Sequence, residues 1–336
     1  MNISFPSLEK SHFPVMLNEV IKSCKPYKKG LVVDCTFGAG GYSEEILKSS
    51  ELKVIALDRD EKANKFAQDL KKKYQKKFIF FKEKFSNLDK ILSEDNKADV
   101  IIFDLGLSTI QIEDHKRGFS FKSREKIDMQ MGLSTISAED VINKLDEKKL
   151  KSIIKNLGEE KEAGKIARNI IKFRQVKKIS TVPDLVQIIE RSKKKDYNKK
   201  INVCTKTFQA LRIFVNKEIS ELIEGLIKAS KFIKHGGKII VISFHSIEDK
   251  IVKYYFTNYS SNKSRPSRYL PLEDEKNNFL FEDYFNDFLK PSIGEISKNP
   301  ASRSAKLRYV TRKKDTFVYP ENFKLKFRKY LDLENA

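Results

Sequence analysis

Short apolar runs alternate with amphipathic stretches along the first hundred or so residues of the chain. The runs predict four strands, at residues 31–35, 54–58, 78–81 and 100–104. Residues 61–74 place Ala63, Phe66, Ala67 and Leu70 at helical spacing between the second and third strands. The run at 100–104 is apolar throughout, as expected of a strand covered on both faces. This alternation predicts an α/β fold around a parallel sheet.

The next comparable apolar run, residues 238–243, follows only after a long intervening segment. A crossover between neighbouring parallel strands needs only one helix, so the segment predicts an inserted domain. We place this helical insert at residues 110–203, between two parts of one domain at 1–109 and 204–336. Ser137 and Thr181 are each followed at the third position by an acid, which predicts helix starts. One long helix, 207–233, is expected to return the chain to the sheet and to stop at Gly236 and Gly237.

The net charge of the chain is the bulk property that says most about its partner. The 336 residues include 67 Lys and Arg against 46 Asp and Glu, a formal net charge of +21. Such an excess favours a nucleic-acid partner, because cations that neutralise phosphates release counterions. The alternative is a composition that is simply rich in lysine. The run Lys193–Lys195 is the stretch that we expect to contact RNA.

The three cysteines have neither paired nor metal-ligand spacing, so no disulfide framework and no metal site are predicted. The chain shows no signal peptide and no apolar run of membrane length, which predicts a cytoplasmic protein without a membrane partner.

A glycine-rich turn follows the first strand, in the run D-C-T-F-G-A-G-G from Asp34 to Gly41. The second strand ends in Asp58, whose carboxylate is placed to accept hydrogen bonds from two ribose hydroxyls. The spacing differs from the G-x-G-x-x-G pattern that presents a helix to pyrophosphate. It suits a nucleoside with an amino-acid tail, S-adenosylmethionine. Phe85, after the third strand, is either an adenine contact or an ordinary core ring.

The fourth strand ends in a polar stretch that contains Asp104, Ser108 and Gln111. Ligands of open parallel sheets bind beyond the carboxyl ends of the strands, so these side chains should face the methyl donor. Methyl transfer to an exocyclic amine needs positioning and an acceptor for an N–H. Asp104 and Ser108 are our catalytic candidates, and the alternative for Asp104 is a plain strand-end cap.

Two further groups are candidates for contact with the target base. Ser243 and His245 end the fifth strand, and His245 is equally a catalytic candidate and an ordinary structural histidine. Arg117, Phe119 and Phe121 supply a cation and two rings in one loop. They either hold a flipped-out base by stacking or only seat the insert.

These stretches together resemble the MraW-type methyltransferases. The matching segments run in order from residue 12 to 312: 34–43, 56–60, 104–108, 117–121, 127–129, 207–213, 242–249 and 299–308. The resemblance implies a Rossmann-like class I S-adenosylmethionine-dependent methyltransferase with an inserted helical domain. It implies cofactor contacts at Gly40, Gly41, Tyr42, Asp58, Phe85, Asp104 and Gln111.

The same resemblance implies a target, the N4 amino group of a cytidine in 16S ribosomal RNA near the decoding site of the small subunit. A homodimer stays open as a hypothesis. Three positions depart from the family pattern: Tyr42 replaces a histidine, Ile110 a proline, and residues 202–204 a His-Pro-Ala run. The alternatives are another nucleic-acid amino methyltransferase, acting on RNA or DNA, and a non-enzymatic RNA-binding assembly factor. A nicotinamide oxidoreductase is disfavoured because the third fingerprint glycine is absent.

Overall fold

The computed structural model describes residues 14–193, 202–262 and 279–335. Six strands form one sheet in the order β3-β2-β1-β4-β5-β6. Strands β1 to β5 are parallel, and β6 runs antiparallel to β5. The strands are β1 Leu31–Asp34, β2 Lys53–Asp58, β3 Phe78–Lys82, β4 Ala98–Asp104, β5 Ile233–Ser243 and β6 Lys306–Thr311. The predicted α/β fold with a parallel sheet is therefore confirmed.

Helices cover both faces of this sheet. In chain order they are α1 Leu17–Cys24, α2 Gly41–Ser49, α3 Ala63–Tyr74, α4 Thr109–Glu113, α5 Ala138–Lys144, α6 Glu147–Leu157, α7 Ala163–Val176, α8 Val182–Ser192, α9 Thr205–Asn216, α10 Glu218–Phe232, α11 Ser246–Asn258, α12 Ile293–Lys298 and α13 Glu321–Asn335. Short 3-10 stretches lie at Gln75–Lys77, Phe85–Lys90, His115–Arg117 and Pro300–Ser304. Within the described ranges, no helix combines the length and apolarity needed to cross a bilayer.

Alternation along the strands divides the core in two. In β1, Val32 belongs to a cluster with α1, α2 and α3, whereas Val33 belongs to a cluster with α10 and α11 on the other face. Residues 100–103 of β4 are fully buried. The uninterrupted apolar run at this place follows from its position in the middle of the sheet, where helices cover both sides.

The segment between β4 and β5 is helical, as its sequence pattern predicts. Ser137 and Thr181 cap α5 and α8, and each forms a reciprocal capping box with the acid three residues later. The apolar faces of α5 to α8 join the same core cluster as α10 and α11. The division of the chain at residues 110 and 203 stays a prediction.

The predicted long helix from 207 to 233 is wrong. Two helices, α9 and α10, meet at Lys217, which adopts a left-handed conformation with φ of 51°. The buried Asn216 explains the break, because its side chain accepts from the N–H of Met131 and donates to the carbonyl of Met129. Gly236 and Gly237 do not end the helix but lie within β5, which begins directly after α10.

The carboxyl-terminal helix is tied to the sheet domain through one buried acid. Glu334 accepts hydrogen bonds from the N–H groups of Ile219 and Ser220 at 3.0 and 2.8 Å, in the first turn of α10. Burial raises the pKa of Glu334 to about 7, although these hydrogen bonds oppose the shift. The tail, which matches little of the family pattern, is thus an integral part of the fold.

Candidate active site

Asp34 organises the glycine-rich turn from beneath. It is fully buried, and it accepts hydrogen bonds from the Ser43 hydroxyl at 2.7 Å and the Thr36 N–H at 3.3 Å. Burial raises its pKa to about 6, while both hydrogen bonds favour the ionised form. Asp34 is absent from the cavity wall described below, so it shapes the turn rather than touching a ligand.

Asp58 anchors the same turn from the end of β2. Its two carboxylate oxygens accept from the N–H groups of Gly38 at 2.7 Å and Asp60 at 2.8 Å. Burial raises the pKa of Asp58 to about 6 against these hydrogen bonds. Gly38 has φ of 54°, a conformation that favours glycine. The carboxylate at the end of β2 thus holds the backbone of the glycine turn that follows β1.

A cavity opens at the carboxyl ends of β1, β2 and β4. It has a volume of about 1300 Å³, including space open to solvent. Six of the seven predicted cofactor contacts line it, namely Gly41, Tyr42, Asp58, Phe85, Asp104 and Gln111. Gly40 does not, because its φ of 83° turns it toward the Phe37 ring. Gly38 lines the cavity in its place, and sequence spacing alone did not distinguish the two glycines.

Phe85 is held rigidly at the cavity wall. Its ring packs edge-on against Phe103, with centroids 5.3 Å apart. It also lies so close to Gly225 that a Cβ there would sit 2.6 Å from the ring. Phe85 therefore packs on the core and also lines the cavity, and its contact with adenine stays a prediction.

Asp104 lies at the end of β4, and only one of its two carboxyl oxygens has a hydrogen-bond partner in the described part of the chain. Its Oδ2 lies 3.2 Å from the Tyr42 hydroxyl, whereas Oδ1 is buried without a hydrogen-bond partner among the described residues. Burial raises the pKa of Asp104 to about 8 against the contact with the Tyr42 hydroxyl, which lowers it, and nearby acids add to the rise: Asp34, Glu248 and Glu295. Asp104 is thus an acid that stays largely protonated near neutral pH.

Ser108 and Gln111 form the start of α4 beside Asp104. The Ser108 side chain accepts from the Gln111 N–H, and the Gln111 side chain accepts from the Ser108 N–H. The Gln111 amide also donates to Asp60 at 2.8 Å. Both residues line the cavity, but each polar group already has a partner. Their first effect is to fix the loop that follows β4.

The Arg117 side chain points inward from its loop. Arg117 pairs with Asp60 at 2.6 Å and lies over the Phe119 ring, 5.2 Å from its centroid. Phe119 is buried, and Phe121 packs edge-on against Phe208. None of these three candidates lines the cavity. The rings take part in packing, and their contact with a target base stays a prediction.

Ser243 and His245 lie behind the cavity wall rather than in it. Ser243 is buried and its hydroxyl lies 3.4 Å from the Lys306 carbonyl. His245 begins α11, and its Nε2 is 3.0 Å from Glu248 Oε1. Glu248 and the neighbouring Phe244 line the cavity, whereas His245 does not.

Glu218 joins this pair to form a small ionic cluster. Candidate donor atoms of Glu218, His245 and Glu248 lie within 4.8 Å of one another, the one metal-capable group in the described ranges. However, both Glu218 oxygens already accept from Arg212, at 2.8 and 2.9 Å. Glu218 is therefore already paired with a cation, and the absence of a metal stays a prediction.

Sequence reasoning singled out neither Glu218 nor Glu248 as a site residue. Glu248 carried a signal, since it stands three residues after the helix-capping His245. Glu218 carried none, because its place on the cavity wall depends on the break at Lys217.

The sheet has this strand order, a glycine turn follows β1, and acids end β2 and β4 around one cavity. This combination is the one found in the Rossmann-like class I methyltransferases. Residues 9–313 match the MraW methylase family, and the chain belongs to that family. Its methyl donor is S-adenosylmethionine, and the protein is an enzyme.

Curated relatives extend over almost the whole chain. A protein of Ehrlichia canis named ribosomal RNA small subunit methyltransferase H is 39% identical over 302 residues, covering 89% of this chain and 99% of the relative. Relatives with the same name from Wolbachia sp. subsp. Drosophila simulans and Bartonella tribocorum are 40% and 41% identical over 305 and 301 residues. These two alignments cover 90% of this chain and 99% and 89% of the respective relatives.

Proposed function

We propose that this protein methylates the N4 amino group of a cytidine in 16S ribosomal RNA, near the decoding site of the small subunit. The name shared by its relatives supports ribosomal RNA of the small subunit as the substrate. The observation that carries the amine chemistry is the unpartnered Oδ1 of Asp104 at the cavity wall. An acceptor without a partner at the end of β4 suits the N–H of an exocyclic amino group.

The residues around the cavity fit the methyl donor. Asp58 offers a carboxylate for ribose hydroxyls, Phe85 a fixed ring for adenine, and Gly38 and Gly41 a backbone that a ligand can approach. When bound, S-adenosylmethionine supplies a methyl group on a sulfonium, an intrinsically good leaving group.

The chain itself positions the amine. We propose that Asp104 accepts one of its N–H groups, which directs the nitrogen lone pair toward the methyl group. Ser108 fixes the loop after β4 through its capping box. His245 acts indirectly, by holding Glu248 at the cavity wall. The assembled small subunit is the particle that we expect to be modified, and a homodimer stays a hypothesis.

The two alternative functions are not favoured. Membership of a methylase family over residues 9–313 argues against an assembly factor without activity. The relatives' shared name likewise argues against a DNA substrate.

The first prediction tests the substrate directly. Small subunits purified from cells that lack this protein should accept labelled methyl from S-adenosylmethionine when the full chain is added. Mass mapping of the labelled RNA should then find N4-methylcytidine. Large subunits and duplex DNA serve as matched controls and should stay unlabelled. Label confined to DNA, or to a carbon or ring nitrogen of the base, would contradict the proposal.

A basic rim beside the cavity is the surface that we expect to hold RNA. Its exposed cations follow α4 and have no ion pair with any described acid: Lys116, Lys122, Arg124 and Lys126. Lys193, in the run expected from sequence to contact RNA, instead pairs with the buried Glu160 at 2.6 Å. Lys194 and Lys195 lie outside the described residues.

Replacing Lys116, Lys122 and Arg124 with glutamine should weaken RNA binding and flatten its salt dependence. Each lost phosphate contact lowers the slope of log K against log salt by about 0.7–0.9, so we expect a decrease of about 2. The matched control replaces Lys71, Lys72 and Lys76, exposed cations near the end of α3, whereas the ion pair of Lys62 with Asp114 places the start of that helix beside α4. Equal slopes for the two triple variants would exclude the rim as the RNA contact.

A further inference from the structure

The Tyr42 hydroxyl has one proton and two oxygen neighbours. It donates to the main-chain carbonyl of Val15, and its oxygen is also 3.2 Å from Oδ2 of Asp104. The tyrosine is buried, with 3% of its surface exposed. Burial also raises its pKa well above the ordinary value, so the hydroxyl keeps its proton.

Because the Tyr42 hydroxyl has only one proton, the direction of its hydrogen bond with Asp104 can be assigned. A carbonyl oxygen can only accept, so the single Tyr42 proton belongs to the bond with Val15. A lone pair of the phenol oxygen then faces Asp104. If Asp104 were ionised, two acceptors would face each other. If its Oδ2 carries a proton, the contact is a hydrogen bond in which Asp104 donates.

The surroundings favour the same protonation state. The charged groups that act on Asp104 are acids on three other elements: Asp34 on β1, Glu248 on α11 and Glu295 on α12. Each of these acids accepts at least one backbone N–H, from Thr36, Phe244 and Met16 respectively. Of these four acids, only Asp104 has a buried oxygen without a hydrogen-bond partner among the described residues.

We propose that Tyr42 is a positioning residue that holds Asp104 as a neutral carboxylic acid. In this arrangement Oδ2–H donates to the Tyr42 hydroxyl, and Oδ1 stays free to accept from the substrate. The role of Oδ1 toward an amine rests on the proposed function, whereas the protonation state does not. As the new N–C bond forms, the S–C bond of the donor breaks and its electron pair stays on sulfur, which leaves as a thioether. The proton that the amine loses passes to solvent, because Asp104 already holds one.

Infrared spectroscopy of the full chain without methyl donor or RNA tests the protonation state. At pH 7 the wild type should show the carbonyl stretch of a protonated carboxyl that is missing from Asp104→Asn. Tyr42→Phe should shift the frequency of that band, because the acid loses its hydrogen-bond acceptor. Asp69→Asn, which removes an exposed acid on α3, is the matched control and should keep the band unchanged. A spectrum of Asp104→Asn with no loss in this region would overturn the proposal.

The pH dependence of folding provides a second readout. The ordinary pKa of an aspartate is about 4, and burial raises that of Asp104 to about 8, so the folded state binds one more proton between these values. Stability from this group is full below about pH 4 and is lost as the pH rises toward 8. Relative to Asp104→Asn, the unfolding constant of the wild type should rise by nearly tenfold per pH unit between about pH 5 and 7.

Parallel pH profiles for the wild type and Asp104→Asn would overturn the proposal even if both fold normally. Neither readout requires methyl transfer. A protonated Asp104 in a chain that labels no small-subunit RNA would therefore refute the proposed function and leave this inference standing. An active enzyme with an ionised Asp104 would refute this inference and leave the proposed function standing.

Discussion

Asp58→Ala should weaken the binding of S-adenosylmethionine by at least about 100-fold. The carboxylate holds the N–H groups of Gly38 and Asp60, and we assign its remaining lone pairs to two ribose hydroxyls. Hydrogen bonds to a charged group are worth about 1.5–3 kcal/mol each, so two of them account for about 3–6 kcal/mol. The glycine turn also loses its anchor. Isothermal titration of the full chain with S-adenosylmethionine measures the effect.

Two controls separate the ligand contact from a general loss of fold. Asp69→Ala removes an exposed acid on α3 and should leave affinity unchanged. Asp58→Asn keeps the size of the side chain and should fall between wild type and alanine, because an amide can accept at only one of its two positions. An Asp58→Ala affinity within threefold of wild type would remove Asp58 from the cofactor site.

The same residue gives the binding a pH dependence. Burial raises the pKa of Asp58 to about 6, and a protonated carboxyl is a poorer acceptor for ribose hydroxyls. Affinity should therefore decline as the pH falls through about 6.

The sequence predicted the sheet well because its central strands are defined locally. The run at 100–104 is apolar because helices cover both faces of β4, and such runs are visible without any tertiary information. The starts of α5 and α8 were equally visible, since Ser137 and Thr181 form their capping boxes within four residues. Local signals of this kind do not depend on where the rest of the chain lies.

The break between α9 and α10 has no such signal. Apolar periodicity continues through Lys217, and the reason for its left-handed conformation is distant in sequence. Asn216 is held by the backbone of Met129 and Met131, and Arg59 donates to its carbonyl. The position of Glu218 at the cavity depends on this break, which is why the ionic cluster around it escaped prediction.

Side-chain direction limits prediction of the site in a similar way. Arg117 was a candidate for contact with a target base, and its guanidinium forms an ion pair with Asp60, which is distant in the chain. Lys193 forms an ion pair with the buried Glu160. Position at a strand end was a partial guide, since Asp58 and Asp104 line the cavity. Ser243 and His245, at the end of β5, do not line it. Sheet topology fixes where a strand ends, whereas a loop side chain turns toward whichever buried partner the fold supplies.

Asp104→Ala should reduce the rate of methyl transfer by about 10²–10³-fold, the effect typical of losing one hydrogen-bonding group that acts on the transition state. Alanine removes Oδ1, the unpartnered acceptor to which we assign an amine N–H. It also leaves the Tyr42 oxygen without a donor, so some loss of stability is expected.

Single-turnover transfer to small subunits at saturating S-adenosylmethionine measures the loss, and titration of the donor shows separately whether binding has changed. Glu113→Ala is the matched control, because it removes an exposed acid of α4 that does not line the cavity. Transfer by Asp104→Ala within threefold of the control would exclude Asp104 from the reaction. The base-positioning role would then fall to Glu248, an acid that lines the cavity at the start of α11.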